Sequence, residues 1–242
     1  MQPSEKQEIL DKSKQWFRKT LTANHIRNAQ KLTNPQEFNI NPFLAVYLAN
    51  FLTGNSSPES IAKALIYPRV LGTSITTSFG TNIQKFTSEV LSSFGSTTSG
   101  IDIEFIDQID GHRKYCQLKS GPNNINKDDV ETIAGHFKSV LNLSRTNNLR
   151  LSIDDLIVGV IYGTPADLSS HYRRITEQYH YPVLVGQTFW QRLTGDDQFY
   201  ADLIRSMGEV ATEADFTTQL NQIITELADS PEVIALSQKS IG

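Results

Sequence analysis

Hydrophobic and polar positions along this chain alternate between two spacings, and the changes of spacing mark its elements. From Ser4 to about Thr22, Ile9, Trp16, Phe17 and Leu21 recur at helical intervals between Lys and Glu, with Ser4 placed to cap the first turn. A second helix is predicted from Asn41-Pro42 through Phe43, Leu44, Val46, Tyr47, Leu48 and Phe51 to Gly54. A third opens at Ser57-Pro58-Glu59 and ends at Pro68, and a fourth spans Ser78 to Phe94 on Phe79, Ile83, Phe86, Val90 and Leu91. The period then drops to two. In Ser99-Gly100-Ile101-Asp102-Ile103-Glu104-Phe105-Ile106 and in Lys114-Tyr115-Cys116-Gln117-Leu118-Lys119-Ser120-Gly121, polar and apolar residues alternate as they do along strands. After a polar loop, Asn126 can cap a helix carrying Val130, Ile133, Phe137, Val140 and Leu141, and Leu156 to Gly163 is apolar on both faces, as a central strand must be. A helix near Ser169 to Tyr179, a short strand from Tyr181 to Val185, and helices over Gln187–Leu193, Asp197–Met207 and Asp215–Leu227 complete the pattern.

Strands alternating with helices predict an α/β/α sandwich around a central mixed sheet, preceded by a helical amino-terminal region. The predicted division is residues 1–70, helical and suited to dimerisation or to embracing DNA, and 71–242, holding the catalytic core, within one compact unit. At 242 residues the chain supports one substantial core, and its 38% apolar and 20% charged residues exclude extended disorder. The net charge of −4 argues against coating nucleic acid by bulk attraction but leaves room for a local basic cleft. A polar amino terminus without an apolar core, no apolar run of bilayer length and a single cysteine, Cys116, lead us to expect a cytoplasmic protein whose lone thiol is a buried strand residue.

The chemistry is concentrated on the two strands. Period-two geometry places Asp102 and Glu104 on one face, and Gln117 and Lys119 on one face of the next strand. Acids, an amide and a lysine brought together can hold Mg²⁺, a water and a phosphate, which phosphodiester hydrolysis requires. Asp102 is the first expected metal ligand, with Lys119 placed to hold the attacking water or to offset charge on phosphorus. Elsewhere, His25, His112, His136, His171 and His180 lack the close spacing of a zinc site, and no phosphate-cradling glycine loop occurs.

An acid on one strand followed by acid-x-lysine on the next is the signature of the PD-(D/E)XK nucleases, which these residues resemble, with Asp102 and Gln117-Leu118-Lys119 at the matching positions. Within that superfamily the chain looks like type II restriction endonucleases, particularly those cutting interrupted palindromes built around GGNCC. The resemblance rests on Gly100 to Ile103, on Gln117 to Asn123 with Ile125-Asn126, and on Gly186-Gln187-Thr188-Phe189-Trp190 with Leu193-Thr194-Gly195-Asp196, and spans roughly Gly72 to Met207. It implies a Mg²⁺-dependent endonuclease acting on double-stranded DNA as a homodimer, with a cognate DNA methyltransferase as a genetic neighbour. The implied ligands are Asp102, Gln117, the backbone carbonyl of Leu118 and Glu89. Gln117 departs from the signature by supplying a neutral amide, so either Glu104 or Glu89 is the candidate source of the missing charge. The loop from Ser120 to Lys127 is the leading DNA contact, through Ser120, Asn123, Asn124, Asn126 and Lys127, with Arg69, Lys85, Arg145, Arg173 and Arg174 as further candidate contacts. A repair or mobile-element nuclease of the same fold, and an inactive DNA-binding module, remain the alternatives.

Overall fold

In the computed structural model, which describes residues 1–91, 94–148, 150–214 and 216–241, five strands form one mixed sheet in the order β1-β2-β3-β4-β5. The strands are β1 (Phe94–Gly95), β2 (Ile103–Ile106), β3 (Arg113–Lys119), β4 (Leu156–Val160) and β5 (Val183–Val185). β1–β2 and β2–β3 pair antiparallel, while β3–β4 and β4–β5 pair parallel, which forces helical crossovers at β3–β4 and β4–β5. Those crossovers are α6 (Lys127–Thr146) and α7 (Ser170–Tyr179). The expected sandwich around a central mixed sheet is therefore present.

Alternation along the strands sorts the core into two layers. Leu156, Val158 and Val160 of β4 pack with Val130, Ile133 and Phe137 of α6 and Tyr172 and Ile175 of α7. On the opposite face, Phe105 of β2 meets Phe189 of α8 (Gln187–Thr194) edge-on, and Phe189 meets Trp190. Trp190 contacts Phe86 of α5 (Ile75–Val90), which contacts Trp16 of α1 (Pro3–Trp16). A β-carbon at Gly159 would stand 2.5 Å from the Phe189 ring and 2.8 Å from the Cys116 sulfur, so glycine is what lets α8 lie this close to β4. Cys116 is buried as expected; burial, with the Asp102 charge adding to it, pushes its thiol well up.

The chain divides into two compact units along lines other than residue 70. The sheet unit comprises Met1–Trp16 and Gly80–Met207, because α1 joins the sheet's aromatic layer and Lys6 ion-pairs with Asp196 and Asp202. The helical unit comprises Phe17–Phe79 and the segment from Gly208. Its core joins α2 (Ala23–Gln30), α3 (Pro42–Thr53), α4 (Pro58–Pro68), α10 (Thr217–Ala228) and α11 (Pro231–Ile241) through Ala49, Ile61, Ile66, Ile224 and Leu227. α9 (Phe199–Ala214) runs further than the predicted Asp197–Met207. Residues 92 and 93 of the helix predicted to Phe94, and Asp215 at the predicted start of another, lie outside the described residues. Among the described residues no helix is long and apolar enough to cross a membrane.

Candidate active site

The site forms where β2 and β3 part company. The ladder's last regular pair is Ile103 with Cys116, and the Asp102 N–H still donates to the Cys116 carbonyl at 3.0 Å. Beyond it the chain turns away through Gly100, whose φ is +78°. The next β3 group facing that edge, the Leu118 N–H, would be left without a backbone partner, and the Asp102 carboxylate takes that place, accepting from it at 2.7 Å. A strand residue's N–H and C=O face the same edge, so the Leu118 carbonyl lies on the Asp102 side of β3.

Gln117, the first β3 residue beyond the last regular pair, is buried and shares its face with Lys119. Its amide nitrogen donates to the Gly100 carbonyl and to His136 Nδ1 of α6, the latter at 2.8 Å. The amide oxygen has no partner among the described residues. Lys119 is half-buried, and no described residue pairs with its ammonium. Asp102 and the Leu118 backbone are thus brought together at the strand end, with Gln117 and Lys119 following on one face of β3.

The two carboxylates considered as replacements for the missing acid stand elsewhere. Glu104 lies on the Asp102 face but is already engaged: Oε1 accepts from the Ser96 hydroxyl at 2.7 Å and Oε2 from Arg113 at 3.2 Å. Glu89 accepts from the Trp16 indole N–H at 2.9 Å. From α5, Gln84 reaches the site, its amide donating to the Asp102 carbonyl at 2.8 Å. Five residues along a helix is a rotation of about 140°, which carries Glu89 off the face Gln84 presents. Both glutamates thus have partners within the fold.

The loop after β3 is held from within. Asn124 donates to the Ser120 hydroxyl and accepts from the Gly121 N–H at 3.1 Å, while the buried Tyr172 hydroxyl donates to the Gly121 carbonyl at 2.9 Å. Asn126 caps α6 as predicted, accepting from the Asp128 and Asp129 N–H groups, and Asp129 accepts from the Asn126 N–H in return. Ser120, Asn124 and Asn126 are therefore used in shaping the loop, whereas Asn123 and Lys127 are exposed with side chains not so engaged. Of the further basic residues, Arg174 is paired with Glu131 and Arg69 lies over the Phe38 ring.

These groups offer one carboxylate, one amide oxygen and one carbonyl oxygen. All are hard donors suited to Mg²⁺, which binds through few carboxylates and retains waters that a phosphate can replace. Among the described residues no group of three or more His, Cys, Asp or Glu side chains could hold a metal. Sequence reasoning missed His136, Gln84 and Tyr172. His136 had a signal, since it continues the α6 stripe of Ile133 and Val140.

A family model described as type II restriction endonuclease EcoO109I matches residues 13–215. No curated protein matches the chain.

Proposed function

The chain belongs to the family of the type II restriction endonuclease EcoO109I, and from that premise we propose that it hydrolyses phosphodiester bonds of double-stranded DNA at a short GGNCC-like palindrome, with the PD-(D/E)XK arrangement as its active site. The observation that carries this reading is a lysine, Lys119, without an ionic partner among the described residues, one position along β3 from the Leu118 N–H that fixes the Asp102 carboxylate at a parted strand end. Unlike a structural ion pair, both groups keep their capacity for a ligand.

Asp102, the Gln117 amide oxygen and the Leu118 carbonyl would hold Mg²⁺, which when bound supplies Lewis acidity toward phosphate oxygens and acidifies a water. Lys119 donates to the attacking oxygen and offsets charge accumulating on the phosphoryl oxygens. The Leu118 N–H fixes the Asp102 carboxylate, so little reorganisation accompanies phosphate arrival. Asn123 and Lys127 extend from the adjoining loop, Asn123 suited to base edges and Lys127 to phosphate.

A palindromic site calls for two copies of the chain related by a two-fold axis. The surface we assign to that contact is one side of α3, where Phe43 is 87%, Tyr47 63% and Phe51 78% exposed, with Leu44, Leu48 and Leu52 beside them. Together these side chains offer on the order of 700 Å², near the roughly 800 Å² each partner gives a standard interface. Sedimentation equilibrium should read a dimer, and Phe51→Glu should shift it to monomer; a monomeric wild-type chain would refute this assignment. The reading carries with it a cytoplasmic location and a cognate methyltransferase gene nearby.

Incubating the chain and Mg²⁺ with a plasmid library, then sequencing the ends, tests the activity. Fragments sharing one palindromic end sequence are expected. Structure-dependent nicking would favour a repair-type nuclease, and specific binding without cleavage an inactive module.

A further inference from the structure

Resting on that reading of the site, we infer that His136 is a positioning residue for Gln117: with the Gly100 carbonyl it orients the amide so that the oxygen is the atom offered to the metal. The Gln117 amide group meets two acceptors, the Gly100 oxygen and His136 Nδ1. Were the amide turned over, its oxygen would face a carbonyl oxygen at hydrogen-bond distance, two lone pairs with no proton between them. Nitrogen therefore occupies this corner, His136 carries its proton on Nε2, and the oxygen is left for a ligand. The cradle is built tightly. A β-carbon at Gly100 would stand 2.2 Å from His136 Cγ, so the imidazole sits directly on the Gly100 backbone, and the positive φ there disfavours other residues as well.

The same geometry accounts for the amide where the signature has an acid. A carboxylate at position 117 would set one oxygen against the Gly100 carbonyl and lose that hydrogen bond, keeping only one from the other His136 tautomer. The Gly100 carbonyl, which can only accept, selects the amide nitrogen at this corner, and the site forgoes a charge in return for a fixed ligand direction.

The test is Mn²⁺ binding by the free protein, followed by loss of the free-ion paramagnetic resonance signal, alongside the Mg²⁺ concentration giving half-maximal plasmid cleavage. His136→Ala is expected to weaken Mn²⁺ binding about tenfold and to raise the half-maximal Mg²⁺ concentration in step, in the range seen when a group supporting a metal ligand is removed. His136→Asn, whose side-chain oxygen can stand in for Nδ1 as acceptor, is expected to restore most of both. Gln117→Glu is expected to give no gain in Mn²⁺ affinity despite its added charge. Unchanged Mn²⁺ binding in folded His136→Ala, failure of His136→Asn to recover any of it, or tenfold tighter binding by Gln117→Glu would each overturn the positioning role while leaving the nuclease reading intact. A wild-type chain that neither binds Mn²⁺ nor cleaves DNA would overturn both.

Discussion

Two lysines on one strand have opposite fates. Lys114, at the start of β3, is 3% exposed and bonded to Asp110 at 2.8 Å and Asp155 at 3.0 Å; Arg192 pairs with Asp107 and the same Asp110. The cluster borders a 240 Å³ cavity that Asp154, Ile157, Pro182 and Leu184 also line. Desolvation opposes the Lys114 charge, but bonds to Asp110 and Asp155 outweigh it and raise its pKa. Lys119, five residues on, has no carboxylate partner among the described residues. The difference separates charge used to hold the fold from charge held ready: at the Lys114 end aspartates pair with Lys114 and Arg192, whereas at the Lys119 end no carboxylate among the described residues pairs with the ammonium.

Exchanging each lysine for methionine in turn should break that contrast most visibly. Lys119→Met is expected to reduce plasmid cleavage about 10³-fold, as loss of one charge-stabilising group does, with an unchanged urea midpoint. Full cleavage by this variant would remove Lys119 from the site. Lys114→Met should do the reverse. Stranding the buried Asp155 carboxylate costs about 3–5 kcal/mol in chemical denaturation, while activity per folded molecule stays near wild type. A smaller effect concerns acid. Desolvation raises the Asp110 carboxyl, yet Lys114, the His112 N–H and Arg192 outweigh it and bring its pKa to about 2, below the ordinary 3.8. Its contribution to stability is complete above pH 3.8 and is lost as pH falls from there toward 2. Urea midpoints across that window should fall more steeply for wild type than for Lys114→Met, and parallel curves would show that Lys114 does not hold Asp110 ionised.

What the sequence disclosed was mainly local. The Asn126 cap, the Ser57-Pro58 helix start and the alternation around Asp102 and Cys116 depend on neighbours in the chain, and each is found in place. Partnerships across the fold were hidden. Glu104 reads as a free acid until Arg113 is folded back across the hairpin, and Glu89 reads as a ligand until α1 brings Trp16 to it. His136 was set aside because zinc spacing was the only question put to it; its pairing with Gln117 depends on which side of α6 covers β3. The two-unit division was equally remote from local pattern, since it joins α1 to strands eighty residues later.

The salt-bridged start of β3 also acts as a register pin. Lys114 and Lys119 differ in parity and so project to opposite faces, about 16 Å apart along the strand. Sliding β3 by one residue would pull Lys114 from Asp155 and turn Lys119 toward the aromatic layer of Phe189. Ion pairs at one end of the strand therefore fix which atoms of β3 stand at the Asp102 edge at the other.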